Sequence, residues 1–243
     1  ATTMTLQTGT TDSIYIDTCT LSYGYYNIMC GANNNSTWPT IWMRGDSMAN
    51  AYNAAFTDPA VFSNYTIKFI NNRVSLRSGV SGQYGIQMRG NANPPTGKYH
   101  QINGNRFNSL NGYGVVFWFG LGNASNAGEM YNNVFGGGTR GATQFVAVNL
   151  SVSAPQVNYT NIYHNTFIMD FTSGTSYGIN FNSSSATSTA CNVKNNIFYN
   201  TSSATSNIAI ATPNGAGVIT GCDYNNFYTN HSSGVLASTS GSI

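Results

Sequence analysis

Met130-Tyr-Asn-Asn-Val-Phe135 and Val193-Lys-Asn-Asn-Ile-Phe198 are copies of one six-residue phrase: apolar, x, x, Asn, x, Phe or another apolar residue. Working outward from them, the phrase returns at Ile102–Phe107, Ile162–Phe167, Phe69–Val74 and Cys222–Phe227. It occurs once more, with Asp for Asn, at Ile14–Cys19. The copies centre on Asp17, Asn72, Asn105, Asn133, Asn165, Asn196 and Asn225, and the last five intervals are 33, 28, 32, 31 and 29 residues. A loose period of this size marks stacked supersecondary units, each unable to bury its apolar face alone.

The residues around each Asn show how a unit is built. Three before it stand Ile14, Phe69, Ile102, Met130, Ile162, Val193 and Cys222; two after it stand Cys19, Val74, Phe107, Phe135, Phe167, Phe198 and Phe227. Both columns are apolar throughout, so both face an interior. The Asn between them belongs at a bend, where a stacked carboxamide can bond the backbone and its neighbours up and down the stack. A second phrase follows, as in Gly85-Ile-Gln-Met88, Gly114-Val-Val-Phe117 and Gly178-Ile-Asn-Phe181. Its period of two marks a strand with one buried face. Its glycine suits a tight corner without room for a Cβ. A further strand, such as Val157–Ile162, precedes each Asn. The expected fold is all-β, a single-stranded parallel β-helix of about seven rungs with an internal Asn ladder.

One interval breaks the period. Asp17 to Asn72 spans 55 residues, so a lateral insertion is expected near 31–63. It holds Trp38, Pro39, Trp42 and Pro59, and its Ser47–Phe56 stretch predicts a helix capped by Asp46.

Composition narrows the class. Charged residues are 7% of the chain, far below the roughly 25% usual in soluble domains. Asn, Ser, Thr, Gly and Tyr must then carry solubility, which suits a secreted, extracellular or cell-surface setting. Hydrophobic residues at 41% exclude ordinary disorder. A net charge of +2, with scattered Lys and Arg, argues for neither nucleic acid nor an anionic membrane as partner. No apolar run approaches the ~18 residues of a membrane span. The chain lacks an initiator Met and closes on Gly234-Val-Leu-Ala-Ser238, which reads as the opening strand of another lap. Residues 1–243 therefore read as one β-helix domain, expected to be a segment of a longer or processed chain. Cys19, Cys30, Cys191 and Cys222 form two sequence-local pairs, compatible with a bridge near each end or with buried thiols. No Cys-x-x-Cys or Cys/His cluster suggests a metal, and no motif suggests a cofactor.

The phrase apolar-x-x-Asn-x-apolar also ends the leucine-rich repeat, but the chain has only seven Leu and its core slots hold Ile, Val, Phe and Met. The pattern instead resembles right-handed parallel β-helix proteins of the pectate-lyase-like superfamily, over about residues 14–236. The resemblance rests on the Asn column, as in Tyr131-Asn-Asn-Val-Phe135 and Lys194-Asn-Asn-Ile-Phe198. It implies a right-handed coil. It leaves chemistry open, because that superfamily includes lyases, hydrolases, phage tailspikes and adhesins.

Catalysis on such a coil would need Arg or Lys beside carboxylates, or clustered Asp. The acids are Asp12, Asp17, Asp46, Asp58, Glu129, Asp170 and Asp223, and none forms Asp-Asp or Asp-x-Asp. If the chain is an enzyme, Lys68, Arg73, Arg106 and Glu129 are the cluster expected to carry it. Register would set Arg73 beside Arg106, Lys194 beside Asp223, and Tyr131 beside Tyr163, about 4.8 Å apart. Tyr131 and Tyr163 would make a platform for a sugar ring, with Trp118 as a third aromatic candidate. His100, His164 and His231 occupy different slots and do not converge. The reading favoured by the sequence is a non-catalytic structural or adhesive module of a cell-surface or filament protein, contacting polysaccharide or glycan and self-associating through its coil ends. Its alternatives are a polysaccharide lyase or glycoside hydrolase, and a phage tailspike-like receptor-binding protein.

Overall fold

The computed structural model describes residues 2–6, 13–31, 38–58, 64–90, 92–108, 110–136, 144–152, 157–171, 174–182, 189–203, 206–213, 219–230 and 234–239. They form a parallel β-solenoid of three sheets with nine, eight and eight strands. Each lap gives one strand to each sheet in turn, so every strand hydrogen-bonds the strands one lap before and one lap after. In the lap around Asn133 these are Gly112–Phe117, Gly128–Tyr131 and Val134–Phe135. No helix occurs among the described residues, so none is long and apolar enough to cross a membrane.

The bend between the second and third sheets is where the sequence phrase does its work. The residue before each ladder position has a positive φ: Thr18, Gly45, Asn71, Gly104, Asn132, His164, Asn195 and Tyr224, at 53 to 67°. Gly and Asn enter this left-handed region at least cost. Immediately after it, the backbone N–H of Asn133 donates to Oδ1 of Asn165 at 3.0 Å, and Asn133 Nδ2 donates to the Ile102 carbonyl one lap back at 2.9 Å. Asn72, Asn105, Asn165 and Asn196 repeat both bonds, and Asn225 repeats the second. The ladder N–H groups from Asn72 to Asn196, and one carbonyl of each preceding lap, thus find partners inside the coil.

Below the ladder the core is stacked by type. Phe107, Phe135, Phe167, Phe198 and Phe227 form a continuous pile with centroids 4.7 to 5.4 Å apart. Opposite them, Gly85, Gly114 and Gly178 lie inside first-sheet strands, not at corners. A Cβ on these glycines would come within 2.8 to 2.9 Å of Phe107, Phe135 and Phe198. The glycine in the second phrase therefore makes room for the carbonyl of the neighbouring lap and for a ring across the core, which corrects the corner expected from sequence.

The 31–63 insertion is also corrected. Thr40–Arg44, Ser47–Ala49 and Ala54–Asp58 are strands of the second, third and first sheets, so the expected helix is two strands of an ordinary lap. Residues 32–37 and 59–63, with Pro59, lie outside the described residues, as do Asp12 and His231. Asp46, expected as a helix cap, is a ladder member: its N–H donates to Asn72 Oδ1 and its Oδ1 accepts from Cys19 N–H, both at 2.8 Å. Asp17 is consequently not in the ladder. It pairs in register with Arg44, two residues before the ladder slot, and Cys19 holds that slot in the first lap. Ile16 and Leu21 then fill the core positions assigned to Ile14 and Cys19. The sequence phrase misled here because Asp17 stands two residues before the Cys19 slot, so aligning on the acid shifts the frame by two without breaking its apolar pattern.

All four cysteines are free thiols. Burial raises the Cys30 thiol and pushes Cys191 up to about 12. Cys191 donates to the Asn158 carbonyl at 3.1 Å, so it behaves as a core residue.

Candidate functional site

Outward side chains of the second sheet fall into two files. Four before the ladder slot run Tyr15, Trp42, Lys68, Gln101, Glu129, Asn161 and Asn192; two before it run Asp17, Arg44, Ile70, Asn103, Tyr131, Tyr163, Lys194 and Asp223. Parallel pairing in register sets neighbours in a file about 4.8 Å apart. The files make a long face of aromatic rings, amides and a few charges along the coil.

Two aromatic platforms stand on it. Tyr131 and Tyr163 stack with centroids 5.1 Å apart and planes within 2°. Tyr15 and Trp42 stack at 6.2 Å and 9°, with the Arg44 guanidinium 5.8 Å from the Trp42 ring. Arg44 is held by Asp17 at 2.6 and 2.8 Å, the one ion pair among the described residues. That contact keeps the Asp17 carboxyl below its ordinary range. Lys194 and Asp223 are register neighbours but form no ion pair.

Between the platforms, Gln101 Nε2 donates to Tyr131 Oη at 2.9 Å and to Glu129 Oε2 at 3.3 Å. Burial, with Glu129 and Tyr131 adding, pushes the Tyr163 phenol up to about 12, so it remains a hydroxyl. Next to Tyr163, a hollow of about 310 Å³ is lined by Asn161, His164, Asn192, Lys194 and Asn195. Asn192 Nδ2 donates to Asn161 Oδ1 at 2.9 Å, an outer amide row that mirrors the buried ladder.

Next to Trp42, a second hollow of about 300 Å³ is lined by Thr40, Thr66, Lys68, Lys98, Tyr99 and Gln101. Lys68 Nζ sits 3.2 Å from the Tyr99 ring centroid. Burial pushes the Lys68 ammonium down to about 8; Glu129 opposes that shift and Lys98 adds to it.

The catalytic quartet expected from sequence is divided. Lys68 and Glu129 share this face, two strands apart across Gln101. Arg73 and Arg106 are neighbours, as register required, but they lie on the third sheet, round the Asn bend. Trp118 follows the first-sheet strand Gly112–Phe117, under the Arg89 guanidinium at 4.6 Å, and lines neither hollow. A third hollow, about 400 Å³, opens on the first sheet between Tyr113, Gln144, Tyr177 and Asn180. Trp42, Tyr99 and Lys98 were missed by the sequence reading because Trp42 fell in the supposed insertion and the other two precede their strand. No group of three or more His, Cys, Asp or Glu able to hold a metal occurs among the described residues.

His100 and His164 have separate structural settings. His100 is buried, accepts the Ile67 N–H through Nδ1 at 3.2 Å, and meets Phe117 and Phe119 edge-on. Burial pushes it down to about 3, so it is neutral. His164 occupies the positive-φ position of its bend, at 57°.

Compared with known proteins, the chain matches no family model, no curated protein and no solved structure.

Proposed function

We propose that the chain is a non-catalytic β-helical segment of an extracellular or cell-surface protein, allied to the pectate-lyase-like coils, whose second-sheet face contacts carbohydrate. The observation that carries this reading is the parallel, stacked Tyr131–Tyr163 pair beside an amide-lined hollow. Flat aromatic faces take the C–H side of a sugar ring, while Asn amides and phenol hydroxyls bond its hydroxyls. Strand repetition sets successive outward side chains one strand spacing apart, which suits a polymer lying along the axis. A rigid pleated sheet also presents these groups with little ordering cost.

The division of Lys68 and Glu129 from Arg73 and Arg106 weighs against the lyase and hydrolase alternatives, because acid–base work needs its groups on one substrate. Binding of defined neutral and acidic oligosaccharides, followed by calorimetry, tests the reading. Tyr131→Ala with Tyr163→Ala should weaken binding by about tenfold or more, since each stacked ring contributes ~1 kcal/mol. Arg106→Ala should change nothing. Cleavage of a polysaccharide that is lost on Arg106→Ala, or binding indifferent to both tyrosines, would overturn it.

A further inference from the structure

We infer that the hollow around Lys68 is an anion-selecting subsite, which takes the carboxylate or sulfate ester of an acidic sugar while the sugar ring lies against Trp42. This rests on the carbohydrate reading of the same face and adds the class of sugar.

Lys68 is 8% exposed, yet its ammonium has no hydrogen-bond acceptor and no carboxylate within ion-pair distance among the described residues. The Tyr99 ring lies 3.2 Å away, which steadies a cation but satisfies none of its N–H donors fully. The nearest acid on its file, Glu129, is two strands along, about 9.6 Å by strand spacing. A second ammonium, Lys98, lines the same hollow and repels the first. Two like charges facing one solvent-open hollow repel each other, and an anion seated between them relieves that repulsion.

The rest of the lining fits an anion carried on a sugar ring. Trp42 is half-buried, stacks on Tyr15 on one side, and lines the hollow beside Lys68. Its neighbour Arg44 is already neutralised by Asp17, so it does not compete for the anion. Thr40 and Thr66 share a hydrogen bond at 3.0 Å at the floor, and the Gln101 amide closes the side toward Tyr131. A ring on Trp42 with its charge at Lys68 would continue along the files toward Tyr131 and Tyr163.

The test uses the whole chain and three oligosaccharides of equal length: a uronate, a sulfated sugar and their neutral counterpart, titrated at low salt. The anionic sugars should bind about tenfold tighter than the neutral one. Lys68→Met, which keeps the buried stem, should bring the anionic and neutral sugars within about twofold of one another. Whichever of uronate and sulfate holds the larger advantage identifies the anion. Lys98→Ala, on a half-exposed side chain, is the second variant and should reduce the advantage about threefold even if Lys68→Met folds poorly. Equal binding of charged and neutral sugars, absence of binding, or an advantage that survives both variants would overturn the subsite. Neutral binding that survives Tyr131→Ala with Tyr163→Ala, while the anionic advantage still vanishes with Lys68→Met, would leave the subsite standing and overturn the strip.

Discussion

Single side chains set the stability of the bend, and Asp46 shows how finely. Every other ladder carboxamide from Asn72 to Asn225 accepts through Oδ1 from the ladder N–H of the preceding lap and donates through Nδ2 to a carbonyl of that same lap. Asp46 supplies the oxygen, but its Oδ2 is buried without a hydrogen-bond partner, where the repeat would have Nδ2 donate to the Ile16 carbonyl. Burial raises its carboxyl above the ordinary 3.8, partly offset by the Cys19 N–H. A raised acid favours the fold fully below its unfolded pKa and loses that contribution as pH rises through the folded value. At neutral pH Asp46 therefore weakens the ladder, and Asp46→Asn should stabilise the chain by about 1 kcal/mol. The gain should shrink toward pH 3.8 and vanish below it, measured as the difference between urea midpoints of the two proteins across pH. His100, neutral until about pH 3 in the fold, makes both proteins lose stability below its unfolded value of 6.5, and cancels in that difference. A gain that stays constant with pH would mean that the Asp46 carboxyl titrates alike in the folded and unfolded chain, against the raised value.

At the scale of the strand, the legible and illegible parts of the sequence separate by how far apart the interacting residues lie. The Asn ladder, the Phe pile and the strand before each Asn were readable, because each repeats at the same offset within its own phrase. The lap from Cys19 to Asn72 was not. Its third-sheet strand Ser47–Ala49 is three residues long, and its core residues Met48, Ala51, Ala55 and Phe56 mimic a helical stripe when lap neighbours are unseen. Gly85, Gly114 and Gly178 were seen but misassigned, since the ring that excludes their Cβ comes from the neighbouring sheet. At the candidate site, Tyr131 and Tyr163 were legible from register, whereas the Lys68 hollow depends on Trp42 and on Lys98 and Tyr99 beyond any repeated slot. The cross-core contact gives a strand-scale prediction. Gly114→Ala would set a Cβ 2.9 Å from Phe135 and 2.4 Å from the Ala147 carbonyl oxygen. It should cost about 2 kcal/mol by overpacking, and pairing it with Phe135→Leu should recover part of that loss. Thermal unfolding of the two singles and the double gives the coupling; strict additivity would show that the glycine answers to the backbone alone.

For the molecule as a whole, contact is almost purely between adjacent laps, so stability is a sum of lap terms and the interfaces joining them. The interfaces are unequal. Laps from Asn72 to Asn196 bury their ladder residue to 1% exposure and pack against stacked Phe rings. The lap at Asn225 has half-exposed core positions along Ile219–Asp223 and Asn226–Thr229. Hydrogen exchange on the intact chain should therefore show amides around Asn225 opening first and those around Asn105 and Asn133 last. Asn133→Ala removes the acceptor of two Asn105 donors and the donor to Ile102, and should cost about 3 kcal/mol. In a three-dimensional core such damage spreads everywhere. In a linear stack it falls on one joint, so exchange should quicken most in the laps beside Asn133, with the loss fading by the lap of Asn225. Uniform acceleration through the whole chain would show that the solenoid unfolds as a single cooperative unit, its laps coupled more strongly than neighbour contacts explain.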